Sequence, residues 1–260
     1  MIPETALLEV REVSKAFGGI QALSGVSFKL NRGEILGIIG PNGSGKTTLI
    51  NCITGFVRTD SGQVMFKGRE ITNRAPHKIA DLGVTRTFQV MRPYYSLLAY
   101  KNLVIPLFSP RARRLGGWRG GGKLGDRNTV SIDILEEIGF ERDSFVPYKM
   151  ASSLPTGYLK RLELARCLAL NPEIILCDEV FSGLSMSEIA SLIPLIERMQ
   201  MEGMTLVMIE HRLKELFRVA NRIMVLNFGQ KLTEGPPDEV MEDPKVKEAY
   251  LGSEDLSEYV

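Results

Sequence analysis

A glycine-rich segment carries the most specific chemical pattern in the sequence. Residues 40–47 read Gly-Pro-Asn-Gly-Ser-Gly-Lys-Thr and fit the pattern G-x-x-x-x-G-K-[ST]. The glycines let backbone N–H groups turn inward around phosphate oxygens, at the positive end of the helix that follows. Lys46 would reach the β- and γ-phosphates of a nucleotide, and the Thr47 hydroxyl would hold Mg²⁺. The predicted nucleotide contacts are Gly40, Pro41, Asn42, Gly43, Ser44, Gly45, Lys46, Thr47 and Thr48.

A second chemical signal is the acidic pair Asp178 and Glu179, which directly follows the apolar run 174–177. Open α/β sheets bind ligands at the carboxyl ends of their strands. Asp178 suits Mg²⁺, directly or through water, and Glu179 is placed to polarise an attacking water as a general base. An acidic pair can also be a solvated strand end. The phosphate loop expected in the same sheet favours the catalytic interpretation.

The segments around these motifs predict the elements that position them. Residues 7–13 and 26–30 alternate as half-buried strands do, and residues 35–39 form the continuous apolar run of a buried parallel strand. The glycine loop then leads into a helix from Lys46 to Ile53. Further strands are predicted within 171–180 and 205–211, and helices at 186–202 and after 211. This βα alternation predicts an α/β fold with a mostly parallel sheet covered by helices.

Composition and charge exclude several classes of protein. Lys and Arg total 32 against 31 Asp and Glu, so no overall field favours nucleic acid. Cys52, Cys167 and Cys177 have no C-x-x-C spacing and are expected to be small buried residues in a reducing compartment. No apolar stretch approaches the ~18–20 residues that span a bilayer, and residues 1–4 do not begin a secretory signal. We expect a soluble cytoplasmic protein whose membrane role, if any, comes through a partner.

Residues 110–127 combine basic side chains with a high density of glycine, which predicts a mobile basic loop. This loop is either a solvated surface or a contact for anionic lipid headgroups or an acidic partner surface. Its basic residues are Arg111, Arg113, Arg114, Arg119, Lys123 and Arg127, and its glycines are Gly116, Gly117, Gly120, Gly121, Gly122 and Gly125.

The ordered combination of motifs resembles ABC ATPases, and most of all the ATP-binding subunits of branched-chain amino acid importers. The resemblance covers nearly the whole chain, and the combination is far more specific than the phosphate loop alone. It implies a P-loop NTPase core with an N-terminal antiparallel β portion. Its domain would span residues 1–253, with a core at about 1–88 and 167–235, a helical subdomain at about 89–166 and a C-terminal segment at 236–260. The supporting stretches are Phe17–Leu23, Arg86–Gln89, Leu162–Arg166, Ile209–His211 and Glu248–Gly252.

The resemblance also implies roles for residues outside the phosphate loop. Phe17 matches the aromatic residue that stacks on adenine, as the π face of a ring can. Gln89 matches the residue that links Mg²⁺ and the attacking water to the helical subdomain. His211 matches a histidine that senses the γ-phosphate.

Residues 154–158 stand where the family has its signature segment, which caps ATP bound to the opposite subunit. Ser153, Thr156 and Gly157 are the expected contacts there. Three residues depart from the family pattern, namely Pro155, Val180 and Ser185, and they put the contacts between subunits and the hydrolysis rate in doubt.

The implied partners are a second copy or a homologous cassette, transmembrane permease subunits and, indirectly, a solute-binding protein. Within the aromatic stretch 90–100, Met91, Tyr94 and Tyr95 are expected to form an exposed groove for a permease helix, although they could also be core residues. A lipid- or lipopolysaccharide-exporting ATPase, an ABC-type ATPase without a transport role and a small-molecule kinase remain alternatives. The kinase would leave the signature segment and His211 unexplained.

Overall fold

The computed structural model describes residues 6–115 and 126–250, and within them the strands form two sheets. One is an antiparallel sheet of four strands in the order β2-β1-β4-β5, and the other has six strands in the order β10-β9-β3-β8-β7-β6. In the larger sheet all neighbours pair in parallel except β9 and β10. The strands are β1 (Leu8–Phe17), β2 (Ile20–Leu30), β3 (Ile35–Ile39), β4 (Ser61–Phe66), β5 (Arg69–Glu70), β6 (Val84–Arg86), β7 (Ile174–Asp178), β8 (Thr205–Ile209), β9 (Arg222–Asn227) and β10 (Gln230–Gly235).

The α-helices of the described residues are α1 (Lys46–Ile53), α2 (Pro76–Leu82), α3 (Lys101–Leu107), α4 (Pro110–Leu115), α5 (Arg127–Glu137), α6 (Thr156–Leu168), α7 (Met186–Met201), α8 (Leu213–Val219), α9 (Pro237–Glu242) and α10 (Pro244–Tyr250). Helices α1 to α8 lie between strands, in the βα alternation that the sequence predicts, and α9 and α10 follow β10. In the described residues, none of these helices has the length and apolar character needed to cross a bilayer. The stretch between β6 and β7 contains α3 to α6, as expected for a helical region, while its division from the core as a subdomain stays a prediction.

The three central strands β3, β7 and β8 are buried at every residue. Successive side chains point to opposite faces of a strand, so alternate residues join different cores. Ile175 and Cys177 pack with the helices α6 to α8, whereas Ile174 and Leu176 pack with α1 and the antiparallel sheet. Burial on both faces explains why these strands read as continuous apolar runs rather than as alternating ones.

The register of the parallel strands brings their carboxyl ends to one edge. Ile38 pairs with Ile209, Asp178 pairs with Ile209, and Arg86 pairs with Leu176. The loops that follow β3, β6, β7 and β8 therefore start side by side. The loop after β3 is the phosphate loop, and the loops after β6, β7 and β8 contain Gln89, Glu179 and His211, respectively.

The prediction of a mobile loop over 110–127 is wrong at both of its ends. Residues 110–115 form α4, and Arg127 begins α5, where the Asp126 side chain accepts a hydrogen bond from the Asn128 N–H as a cap. Arg111 is buried, because its guanidinium bonds the carbonyls of Leu82 and Asn171 and the carboxylate of Glu173. The glycines begin only at 116, so the basic residues before them were free to form a helix. Residues 116–125 lie outside the described part of the chain.

Cys52, Cys167 and Cys177 are buried and free, which confirms the prediction that they are small core residues. Burial raises the pKa of the Cys167 thiol to about 12, and that of Cys52 to about 11. Both thiols therefore stay protonated and unreactive near neutral pH.

Candidate nucleotide site

The phosphate loop folds into a strand–loop–helix turn that only glycine permits at two positions. Gly40 and Gly45 have φ values of 151° and 103°. A side chain at Gly40 would meet the carbonyl oxygen of Leu226 at 2.0 Å, and one at Gly45 would meet that of Ala22 at 2.5 Å. Gly45 is also the residue that caps α1, so the N-terminus of that helix opens directly onto the loop. Such a helix end attracts phosphate.

Lys46 lies over this loop with its charge held by backbone oxygens. Its Nζ donates to the carbonyl of Gly40 at 2.6 Å and to that of Pro41 at 3.0 Å, and the residue is 6% exposed. Carbonyls are weaker partners for an ammonium than phosphate oxygens are. The Lys46 ammonium therefore lies against the loop, within reach of a phosphate that binds there.

The acidic pair at the end of β7 is divided between two environments. Asp178 is 1% exposed, and its Oδ2 accepts a hydrogen bond from Arg86 at 2.9 Å. Among the described residues, none bonds the other oxygen, Oδ1. Burial raises the pKa of Asp178, and the neighbouring Arg86 opposes that shift. A buried carboxylate oxygen without a partner is uncommon in proteins and calls for a ligand.

Glu179 turns away from the strand with a φ of 55°, in the left-handed region that a residue of this type rarely adopts. Its Oε2 accepts from Gln89 Nε2 at 2.9 Å, and its Oε1 lies 3.2 Å from His211 Nε2. The Lys160 ammonium donates to its carbonyl oxygen at 2.7 Å. The backbone strain is thus maintained by contacts from three other elements.

One cavity of about 320 Å³ collects most of the residues predicted from the sequence. Its lining combines Gln89, Glu179 and His211 with residues of the phosphate loop. Its described lining is Ala22, Asn42, Gly43, Ser44, Gly45, Lys46, Thr47, Thr48, Gln89, Glu179 and His211. This is the space in which a phosphate, a carboxylate base and an imidazole can meet a single water.

Phe17 and the signature residues are not part of the described lining of this cavity. Phe17 ends β1 with 48% of its surface exposed, and the Lys15 ammonium lies 5.2 Å from the centre of its ring. Ser153 is exposed at the end of a short 3-10 turn (Ala151–Ser153), Thr156 is exposed at the start of α6, and Gly157 is buried in the first turn of that helix. An exposed ring and an exposed helix start are both accessible to a ligand or a second chain.

The three departures from the family pattern take ordinary structural roles. Pro155 is the residue that precedes α6, where a fixed φ suits a helix start. Val180 is buried. Ser185 caps α7 in a reciprocal arrangement with Glu188, whose pKa is lowered first by the Ser185 N–H and further by the Gly157 N–H. The serine thus preserves the cap that an Asp or Asn would supply.

Three charged residues of the site were not singled out from the sequence. Arg86 was named only as part of the Arg86–Gln89 stretch, and Lys160 lies two residues beyond the signature segment 154–158. Glu210 is 2% exposed and accepts the Phe181 N–H at 3.0 Å, and burial raises its pKa to about 8. The available signal was position, because Arg86 and Glu210 each stand at the end of a buried strand, as Asp178 does.

Fold and site together define a P-loop ATPase of the ATP-binding cassette class. The profile of the ABC transporter family matches residues 23–182, and a profile described as branched-chain amino acid ATP-binding cassette transporter matches residues 230–255. The chain therefore belongs to the ABC transporter family, as an ATP-binding and ATP-hydrolysing subunit of its branched-chain amino acid group.

Relatives of similar length support this placement over almost the whole chain. A probable branched-chain amino acid transport ATP-binding protein LivG of Archaeoglobus fulgidus is 33% identical over 96% of both chains. The high-affinity branched-chain amino acid transport ATP-binding protein BraF of Pseudomonas aeruginosa is 34% identical over 95% of this chain and 98% of its own. The LivG protein of Escherichia coli K12 is also 34% identical, with the same coverage.

Solved structures show the same fold. An ATP-binding cassette of an ABC transporter in its ADP conformation superposes with a TM-score of 0.83 and 33% identity, over 96% of this chain and all of its own (100%). A dimeric structure of a bacterial ABC transporter cassette gives a TM-score of 0.76 at 25% identity, over 88% of this chain and 98% of its own.

Proposed function

We propose that the chain hydrolyses ATP to power the import of branched-chain amino acids, or similar small polar solutes, through separate transmembrane subunits. The observation that carries the proposal is the meeting of Lys46, Gln89, Glu179 and His211 around one cavity beside the phosphate loop. The names of the relatives supply the solute class. A solute-binding protein would deliver that solute to the permease.

Within the cavity, each side chain has a distinct task. Lys46 leaves its carbonyl partners and binds the β- and γ-phosphates, which gives it stronger charge-assisted hydrogen bonds. Glu179 accepts a proton from the attacking water as general base. Gln89 and His211 hold the Glu179 carboxylate from both sides, and His211 contacts the γ-phosphate. The strained turn at Glu179 is consistent with a carboxylate fixed before the substrate arrives.

The residues present fit Mg²⁺. Carboxylate and hydroxyl oxygens are the ligands that this hard cation prefers, and within the described chain Oδ1 of Asp178 is a buried oxygen still in need of a partner. Thr47, Asp178 and Gln89 would hold the cation. When bound, it would neutralise charge on the β- and γ-phosphate oxygens. Asp178 serves this purpose ionised, and the Arg86 guanidinium beside it favours that form.

Two further contacts are proposed for the remaining parts of the nucleotide. The exposed ring of Phe17 stacks on the adenine. Ser153, Thr156 and Gly157 at the start of α6 contact the γ-phosphate of ATP bound to a second cassette, where helix N–H groups favour an anion. The functional unit is then a two-fold pair of this chain or a heterodimer with a similar cassette.

The chain reaches the membrane through the permease and works at its cytoplasmic face. Tyr94 and Tyr95, which follow Gln89 in the chain, are 43% and 47% exposed, which supports their use as a partner surface. Tyr and Met are enriched at the centres of protein interfaces. Met91 is half-buried, and its carbonyl accepts the Tyr95 hydroxyl at 3.2 Å, which brings Met91 and Tyr95 together.

The transport proposal is tested by reconstitution. The chain is copurified with its membrane subunits and binding protein, placed in proteoliposomes with enclosed ATP, and assayed for uptake of labelled leucine, isoleucine and valine. We expect ATP-dependent uptake that the Glu179→Gln subunit does not support. Uptake with Glu179→Gln at the wild-type rate, or transport of a lipid instead, would refute the proposal.

The composite site is tested by mixing variants. Lys46→Ala and Gly157→Asp subunits should each be inactive alone. A mixture should recover activity, because a mixed pair contains one intact site made from the unmutated loop and the unmutated signature. Full activity of each wild-type monomer at high dilution would contradict a site shared between subunits.

A further inference from the structure

Arg86 is a buried cation that takes no direct part in the proposed binding or hydrolysis of ATP. It ends β6, its side chain is 6% exposed, and it forms an ion pair with the 1% exposed carboxylate of Asp178. Burial lowers the pKa of Arg86, an effect that Asp178 opposes. Burying a charge is costly unless it is paired and fully hydrogen-bonded, so the arrangement needs a reason.

All three nitrogens of the Arg86 guanidinium are engaged, each by a different part of the fold. Nη2 donates to Asp178 Oδ2 at 2.9 Å, Nη1 donates to Asn51 Oδ1 at 2.5 Å, and Nε donates to the carbonyl of Thr87 at 3.1 Å. A planar guanidinium fixes these directions relative to one another, which an ammonium group cannot do. The cation therefore acts as a rigid bridge from the end of β7 to helix α1.

The hydrogen bond to Asn51 connects Arg86 to helix α1. Asn51 lies on α1 four residues after Thr47, and side chains at that spacing share one face of a helix. Arg86 thus ties Asp178 to the helix that carries Thr47, the other oxygen ligand proposed for the metal. Any shift of β7 relative to α1 would have to break one of these hydrogen bonds.

Two aromatic rings hold the guanidinium in place. Its central carbon lies 4.8 Å from the Phe88 ring centre and 5.5 Å from that of Phe56, and the two rings meet edge to face at 5.5 Å. Cation–π contacts with partly desolvated rings stabilise such a charge. Phe88 directly precedes Gln89, so the same contact fixes the start of the segment that reaches Glu179.

We infer that Arg86 is a positioning residue for the divalent cation: it holds Asp178 through Oδ2, leaves Oδ1 to the metal, and fixes the separation between Asp178 and Thr47. The inference rests on the proposed metal role of Asp178. Partners that orient a metal ligand usually contribute about 10–100-fold to affinity or activity.

The experiment measures binding of Mn²⁺ together with ATP by electron paramagnetic resonance, in a Glu179→Gln background that does not consume the nucleotide. Binding of ATP alone is measured in parallel with EDTA. We expect Arg86→Gln to weaken Mn²⁺ binding about 10-fold, and to leave metal-free ATP binding within about twofold of its parent. Arg111→Gln is the matched control, because it also removes a buried arginine from a carboxylate, at the opposite end of β7. It should change neither quantity.

Arg86→Lys keeps the positive charge but loses the planar guanidinium, so it tests whether the directions of the hydrogen bonds matter. One ammonium cannot reproduce the bridge between Asp178 and Asn51, so Mn²⁺ affinity should remain below that of the parent in a folded protein. If Arg86→Gln does not fold, this variant alone decides the matter. Full Mn²⁺ affinity in Arg86→Lys, or an equal loss of metal-free ATP binding in Arg86→Gln, would overturn the inference. An Asp178→Asn variant with undiminished Mn²⁺ affinity would instead refute the proposed metal site itself.

Discussion

The two edges of the central sheet use the same residue types to opposite effect. At the amino edge, the carboxylate of Glu173 just before β7 accepts hydrogen bonds from Arg32, Lys67 and Arg111. At the carboxyl edge of the same strand, Asp178 has one oxygen that no other described residue bonds. The carboxylate at the amino edge is hydrogen-bonded by three side chains, whereas Oδ1 of Asp178 at the carboxyl edge can still accept a hydrogen bond or bind a ligand.

The same contrast recurs on the neighbouring strands. Before β3, the Glu34 carboxylate accepts from Arg222 Nε at 2.6 Å, and Arg222 also pairs with Glu234. After β8, Glu210 is buried with a raised pKa. Polar groups that satisfy one another stabilise the fold, while strained or unsatisfied groups reduce stability and can be relieved by a ligand. We therefore expect the amino edge to contribute mainly to stability and the carboxyl edge to the proposed nucleotide chemistry.

The largest expected effect on stability comes from removing the buried carboxyl group of Glu210. Its pKa rises from an ordinary 4.5 to about 8 on folding, so the folded state keeps a proton that the unfolded state loses. Stability should fall as pH rises from about 4.5 to about 8 and then level off. Glu210→Gln keeps an acceptor for the Phe181 N–H without a charge, so the variant should gain about 2–4 kcal/mol over wild type across this window. Urea unfolding at several pH values measures the difference, and a difference independent of pH would show that Glu210 carries no such cost.

The next effect concerns the stored charge of Lys46. Lys46→Ala should weaken ATP binding about 10- to 100-fold, because charge-assisted hydrogen bonds are worth about 1.5–3 kcal/mol. Its stability should change little, since the carbonyls of Gly40 and Pro41 that the ammonium bonds belong to a loop and can be solvated once the side chain is removed. Equilibrium dialysis with labelled ATP checks the affinity. Undiminished ATP binding would show that Lys46 does not bind the nucleotide phosphates.

The smallest effect on the nucleotide site should come from a surface outside both edges. Changing Tyr94 and Tyr95 together to Asp should abolish copurification with the membrane subunits and also transport. ATP binding by the isolated chain should stay within about twofold, because the two rings are exposed and do not line the described cavity. If the double variant failed to fold, the aromatic rings would belong to the core and the proposed partner surface would be wrong.

The sequence predicted the carboxyl edge better than it predicted its surroundings. A phosphate loop needs one order of glycines between a buried strand and a helix, so residues 40–47 could be assigned directly, and the parallel register then brought Glu179 and His211 to them. Strands β1 and β2 are longer than predicted. Their pairing contains irregularities after Val10, and Glu12 has a φ of 48°, so the polar–apolar alternation breaks before the strand ends.

The contacts made by arginine could not be predicted from one sequence. Arg86 and Arg111 find their carboxylates 92 and 62 residues away, at opposite ends of one strand. The position of Arg86 at the end of a strand marks it as a candidate site residue, but no neighbour in sequence of either arginine indicates its carboxylate partner. For Arg111 this produced an error, since composition alone suggested a basic loop where the chain forms α4.

The most direct test of the division between the edges compares two Glu-to-Gln changes that flank β7. For Glu179→Gln and Glu173→Gln, steady-state ATP hydrolysis with the membrane subunits and the free energy of unfolding of the isolated chain are measured side by side. Glu179→Gln should lower turnover about 10²- to 10⁴-fold through loss of the general base, with little change in unfolding free energy. Glu173→Gln should lose about 1–3 kcal/mol of stability, because its neutral amide leaves the buried Arg111 without a countercharge, and should keep turnover within about twofold. The reverse pattern, with turnover dependent on Glu173 and stability dependent on Glu179, would contradict the account.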